Sequence, residues 1–220
     1  AILAVPGVFH AALPARIDLC SHHAGVIVGA NQVRQLGTVN FLVNLDGASE
    51  IGAVVDSGFD VGSLAGAVVP LTGAMTPFHP DLATSMRLLR NSNTPQNTAL
   101  GVPDGAPHGT HVAGIVAGDG SASGGANRGM APRSALIGLA PLPNNFRVPF
   151  NFAEINGARV INNSWGSSFV GGNNNRYTPN ESQAVDRWCF DHPDVLLVFA
   201  AGNDESDTFG GADGVLDART

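Results

Sequence analysis

Charged side chains are scarce in this chain, at 13% of its 220 residues, whereas soluble domains average about 25%. Lysine and arginine together number only 11, and the formal net charge is −7. Proteins that bind nucleic acids need clustered basic side chains to neutralise phosphates, so that class of partner is excluded. No apolar run approaches the roughly 20 residues that cross a bilayer as a helix, and we expect no membrane partner.

Cysteine is nearly absent too. Cys20 and Cys189 permit one disulfide but do not require it, and Cys189 falls on the apolar side of a predicted helix, where a buried free thiol fits equally well. Glycine is abundant, at 28 residues, and hydrophobic residues make up 44% of the chain. This composition predicts a compact domain with many glycine-dependent turns and long ordered loops.

Apolar strands alternate with helices along the chain. Strands are predicted at residues 50–56, 135–140, 159–164 and 195–201. Helices are predicted at 80–90, 108–118 and 178–192, and residues 151–158 are predicted to be the last turns of another helix. In the helix at 178–192, Thr178 and Glu181 form a capping box and Pro179 suits the first helical position. This alternation predicts an α/β fold with a mostly parallel central sheet and helices on both faces.

Polar residues follow three of these strands. Asp56, Ser164 and Asn203 each stand at or just beyond the carboxyl end of a predicted strand. In open parallel sheets the ligand binds at that edge, so these side chains are expected to share one site.

Three motifs contain the candidate site residues. They are Val54-Val-Asp-Ser-Gly58, His108-Gly-Thr-His-Val-Ala-Gly114 and Phe199-Ala-Ala-Gly-Asn203. Together with His79-Pro-Asp-Leu82, Gly129-Met-Ala-Pro132 and Ile161-Asn-Asn-Ser-Trp-Gly166, they resemble the subtilase family of serine endopeptidases. The likeness spans about residues 24–220, and residues 1–23 are interpreted as an N-terminal extension or a propeptide remnant.

The resemblance implies a role for each matching residue. His108 would be the general base, Asp56 would orient it, and Asn203 would donate its amide N–H to the oxyanion. It further implies a substrate-binding wall and pocket formed by Ser164, Trp165, Gly166, Ala200, Ala201 and Gly202. The pocket is expected to prefer substrates with a large apolar side chain before the cleaved bond. Protein or peptide substrates and a secreted location are the corresponding expectations.

A nucleophilic serine is missing from the expected place, because no suitable serine follows Asn203. Ala83-Thr-Ser-Met86 is similar to the family's serine motif, but it lies between the Asp and His motifs, so Ser85 is not expected to be the nucleophile. We therefore expect a sheet that is incomplete at its C-terminal end and a second polypeptide segment that carries the catalytic serine. A catalytically inactive subtilase-like domain that binds peptides is the alternative.

Acidic residues cluster just beyond Asn203. The spacing of Asp213 and Asp217 is similar to part of a calcium loop, since Ca²⁺ prefers several carboxylate and carbonyl oxygens. A solvated acidic turn explains these residues equally well. His108 and His111 stand one helical turn apart but have no third ligand at a suitable spacing, and no organic cofactor is expected.

Overall fold

The computed structural model describes residues 21–34, 45–59, 79–90, 108–141, 145–165 and 182–200. Its strands are β1 (Ile51–Val55), β2 (Met86–Arg90), β3 (Ala135–Leu139), β4 (Val160–Asn163) and β5 (Leu196–Phe199). Its helices are α1 (Ser21–Ile27), α2 (Ala30–Val33), α3 (His108–Ala117), α4 (Arg147–Ile155) and α5 (Ser182–Asp191).

The five strands form one sheet in the order β2-β3-β1-β4-β5, and every pairing is parallel. The predicted parallel α/β fold is therefore confirmed. Four of the strands lie where the apolar, β-branched runs predicted them, with ends that differ by at most two residues.

Side chains alternate between the two faces of the sheet, and helices cover both. On one face, Val54 and Leu136 pack against Val112 and Ala113 of α3. On the other face, the residues one position away in each strand pack against α4 and α5. This second core contains Ala53, Val55, Ile137, Leu139, Phe150, Ala153, Ile161 and Trp188.

The predicted apolar side of α5 is confirmed by the burial of Trp188, with Val185 and Cys189 packed partly against the same core. Trp188 Nε1 donates to Asn151 Oδ1 at 2.6 Å, which fixes α5 to α4. A buried indole N–H usually has such a partner. The predicted capping box lies outside the described residues.

The helix predicted at residues 80–90 is wrong. Residues Pro80–Leu82 form a short 3-10 turn, and Met86–Arg90 form β2, an edge strand paired with β3. Met, Leu and Arg are good helix formers, but here the Leu136 N–H donates to the Ser85 carbonyl at 2.8 Å, so pairing with β3 overrides local preference. Tertiary pairing cannot be inferred from so short a segment.

Two further expectations concern the N-terminal boundary and membrane-spanning helices. The boundary predicted between residues 23 and 24 stays a prediction, and α1 runs across it. Within the described residues, no helix has the length and apolar character needed to cross a membrane.

Candidate active site

The carboxyl ends of the parallel strands bring three sequence-predicted positions into one row. Val55 pairs with Asn163, and Asn163 pairs with Phe199. The next residues along these strands are Asp56, Ser164 and Ala200. They consequently lie at the same edge of the sheet, which is what the strand-end pattern predicted for Asp56 and Ser164. Asn203, the third residue of that pattern, lies outside the described residues.

Asp56 and His108 are joined directly. His108 Nδ1 lies 2.7 Å from Asp56 Oδ1, although 52 positions separate the two residues. The Asp56 side chain is 2% exposed and the His108 side chain is 52% exposed. An ionised carboxylate can only accept, so Nδ1 donates its proton here and Nε2 remains as the basic nitrogen of an accessible ring.

Backbone and side-chain contacts of Ser57 and Gly109 surround this pair. The Ser57 N–H donates to Asp56 Oδ1 at 2.7 Å, while the Ser57 hydroxyl accepts the Gly109 N–H at 3.2 Å. A Cβ on Gly109 would lie 2.1 Å from the Gly58 carbonyl oxygen. The end of β1 and the start of α3 are thus in backbone contact, which requires glycine at position 109.

The far end of α3 is closed by the Gly129-Met-Ala motif. The N–H groups of Gly129, Met130 and Ala131 donate to the carbonyls of Gly118, Ile115 and Val116, each at 2.8 Å. The last carbonyls of a helix have no partner within it, so this segment satisfies them. A Cβ on Gly129 would lie 2.7 Å from the Gly114 carbonyl oxygen, which explains the glycine.

The loop after α3 does not fit a calcium ion. Asp81 Oδ1 already accepts the Ala122 N–H at 2.6 Å and the Ser121 hydroxyl at 3.1 Å, and Asp119 Oδ2 accepts the Thr84 hydroxyl at 3.0 Å. Donors directed at these oxygens take the place that a cation would need. Arg128 also folds over the loop, with its Cγ 2.9 Å from a Cβ placed on Gly120.

Trp165 packs inward. Its ring stacks on Phe146 at 5.0 Å and meets Phe199 edge-on at 5.7 Å, at the rim of the second core. Ser164 Oγ accepts from Asn162 Nδ2 at 2.9 Å, and the exposed Ala200 donates its N–H to the Asn163 carbonyl at 3.0 Å. The remaining predicted site residues, Gly166, Ala201, Gly202, Asn203, Asp213 and Asp217, lie outside the described residues.

Ser85, His111 and Cys189 are three further residues that the sequence analysis considered. The Ser85 hydroxyl is buried and donates to the Ala117 carbonyl at 2.7 Å, so it ties β2 to α3. His111 is exposed on α3, and the described residues contain no group of three or more His, Cys, Asp or Glu side chains that could hold a metal. Cys189 is a free thiol, whereas Cys20 lies outside the described part.

Sequence reasoning did not single out Ser57 or Asn163. Asn163 is fully buried, and its Oδ1 has no partner among the described residues, as is also true of Asp56 Oδ2. The signal for Ser57 was its place directly after the strand-end aspartate, where a hydroxyl can bond to a neighbouring loop or helix. No sequence pattern indicated that Asn163 faces the apolar core.

Known proteins share sequence and fold with this chain. A model of the subtilase family matches residues 50–217. The serine protease/ABC transporter B family protein tagD of Dictyostelium discoideum is 33% identical over an alignment of 111 residues. The match covers 44% of this chain and 6% of that protein.

Two solved structures share the fold. An S41 psychrophilic protease is 25% identical with a TM-score of 0.55, covering 81% of this chain and 53% of its own. Sphericase is 22% identical with a TM-score of 0.54, with coverage of 81% and 53%. This chain therefore spans about half the length of the solved relatives and a small part of the curated one.

Proposed function

The chain belongs to the subtilase family, and from that premise we propose that it supplies the base and its orienting acid to a serine endopeptidase. The observation that carries the proposal is the 2.7 Å contact between Asp56 Oδ1 and His108 Nδ1, at the carboxyl edge of a parallel sheet. A buried carboxylate beside an accessible imidazole is the arrangement that activates a hydroxyl nucleophile.

The proposed reaction begins with the serine of a second segment. As its oxygen attacks the peptide carbonyl carbon, its proton passes to His108 Nε2, while Asp56 holds the Nδ1 proton and stabilises the imidazolium. His108 then gives the proton to the leaving amine as the C–N bond breaks. Water repeats the sequence on the acyl intermediate and frees the serine. The Asn203 amide would donate to the oxyanion in both halves.

Apolar surface that the described residues leave exposed supports the existence of that second segment. Val160, Leu196 and Val198 are 47%, 58% and 40% exposed, and they lie on the face of the sheet where α3 packs over β1 and β3. An apolar sheet face of this kind normally packs against another element. We propose that the segment carrying the serine covers it, on the same side of the sheet as His108.

Three finer features belong to the same proposal. Broad specificity with a preference for large apolar side chains before the cleaved bond is supported by the small residues of the Ala200-Ala-Gly202 run. Secretion is supported by the family resemblance. A structural calcium ion held by the hard oxygens of Asp213 and Asp217 would supply stability and take no part in the reaction.

Variants at the two residues test the assignment. In the complete protein, Asp56→Asn should lower turnover by about 10⁴-fold, because the imidazole loses its orienting carboxylate. His108→Ala should lower it at least as much. His111→Ala removes an exposed histidine one turn further along the same helix and should leave turnover unchanged. Equal peptide cleavage by wild type and His108→Ala would refute the proposal.

A fluorophosphonate label separates the protease from the alternative. Labelling, followed by mass spectrometry of the modified peptide, should place the reactive serine outside residues 1–220. If the folded protein binds peptides but is not labelled by the fluorophosphonate, the inactive binding domain would be favoured. Labelling of Ser85 would show that the nucleophile had been assigned wrongly.

A further inference from the structure

Ser57 bonds to Asp56 and to Gly109, the residue that directly follows His108. Its backbone N–H donates to Asp56 Oδ1 at 2.7 Å, the same oxygen that faces His108 Nδ1. Its hydroxyl accepts the N–H of Gly109, the residue directly after His108, at 3.2 Å. One residue therefore connects the strand end that carries the acid to the helix start that carries the base.

The Gly109 contact is a helix cap supplied from a distant segment. The first N–H groups of a helix have no partner within it, and a nearby side-chain oxygen normally accepts from one of them. Here that oxygen comes from position 57, 52 positions before Gly109. The bond sets where the first turn of α3 sits relative to β1, and His108 is the first residue of that turn.

Backbone contact makes this arrangement sensitive to small shifts. The Gly58 carbonyl oxygen would lie 2.1 Å from a Cβ on Gly109, so the two segments already touch. The imidazole itself is half exposed, and among the described residues its side-chain bond is the one to Asp56. Its position is then determined by the Asp56 bond and by the placement of its own backbone.

We propose that Ser57 is a positioning residue for His108, acting through its hydroxyl on the N-terminus of α3. This inference rests on the proposed function, because it assigns the hydroxyl a part in keeping the base aligned for proton transfer. A misplacement of about 1 Å at a reacting group can cost 10²-fold in rate. Removal of the hydroxyl is expected to reduce turnover by about tenfold, since the Asp56–His108 bond remains.

The test compares two variants of equal shape. Ser57→Thr retains the oxygen, whereas Ser57→Val replaces it with a methyl group of similar size. In the complete protein, Thr should keep kcat within twofold of wild type, and Val should lower kcat about tenfold with KM within twofold. Ser123→Ala is the matched control, because the Ser123 hydroxyl also accepts a backbone N–H, from Asn127 at 2.9 Å. Ser123 lies beyond the opposite end of α3 from His108.

A second readout does not depend on proteolysis. In protein labelled with ¹⁵N-histidine, the Nδ1–H signal of His108, identified by its loss in His108→Ala, reports the bond to Asp56. Ser57→Val should broaden or shift this signal, while Ser57→Thr and Ser123→Ala should preserve it. If wild type cleaves no peptide, the proposed function fails, yet this signal still tests the role of Ser57.

Two results would overturn the inference. One is Ser57→Val with wild-type kcat and an unchanged His108 signal. The other is Ser57→Val with lowered kcat but an unchanged signal, which would place the loss elsewhere. If Ser57→Val does not fold, Ser57→Ala, which is smaller, takes its place with the same expected outcomes.

Discussion

Two glycines in α3 should respond in opposite directions to the same substitution. In Gly109→Ala the new methyl would meet the Gly58 carbonyl oxygen at 2.1 Å and Asp56 Cβ at 3.1 Å. Carbon and oxygen atoms in packed proteins stay about 1 Å further apart than the first of these distances. Gly58 is buried, as are Asp56 and Phe59, so the helix start must move, and His108 moves with it.

The magnitudes follow from this geometry. Overpacking of this kind costs roughly 1–3 kcal/mol, which exceeds the gain of roughly 0.5–1 kcal/mol from Gly to Ala in a helix. Gly114 lies in the same helix, and a Cβ there meets nothing within 4 Å among the described residues. Gly114→Ala should therefore raise stability by about 0.5–1 kcal/mol, and Gly109→Ala should lower it.

Thermal unfolding of the two variants is the assay. At a few degrees per kcal/mol, Gly114→Ala should raise Tm by roughly 1–4 °C and Gly109→Ala should lower it by several. Peptide cleavage by Gly109→Ala should fall by about 10²-fold through the displaced His108, with Gly114→Ala unaffected. Equal Tm values for the two variants would refute the close approach of the helix start to Gly58.

The remaining predictions concern metal and thiol chemistry. If Asp213 and Asp217 hold calcium, EDTA should lower Tm, since a ligand bound only by the folded state stabilises it, and Asp217→Asn should abolish most of that effect. If neither EDTA nor Asp217→Asn changes the melting curve, these residues form an ordinary acidic surface turn. Burial, and then the nearby Asp186 carboxylate, raise the pKa of the Cys189 thiol. Alkylation of Cys189 by iodoacetamide should therefore need a higher pH than that of an ordinary cysteine, and Asp186→Asn should shift its midpoint towards lower pH.

Several parts of the fold could be predicted from local signals. The strands at Ile51–Val55 and Ala135–Leu139 are short apolar runs bounded by turn residues, and burial of both faces makes such runs distinctive. The helix His108–Ala117 was recognisable from its small and apolar residues. Each of these segments strongly favours one type of secondary structure, and its tertiary environment favours the same type.

The segment Met86–Arg90 shows where such prediction fails. Its residues favour a helix in isolation, and only the open edge of β3 makes them a strand. The pattern of side chains within five residues cannot report which backbone lies next to them.

For the candidate site, the sequence by itself determined which residue types are present and that Asp56 and Ser164 follow strands. Both can be predicted locally, because the type of a side chain and the end of a strand depend on only a few neighbouring residues. Only the tertiary structure decided their arrangement. It brought His108 to 2.7 Å from Asp56, turned Trp165 onto Phe146, and gave the Ser57 hydroxyl a partner in another segment. These contacts join residues that are distant along the chain, and the packing of helices on the sheet, rather than the preference of any one segment, fixes such distances.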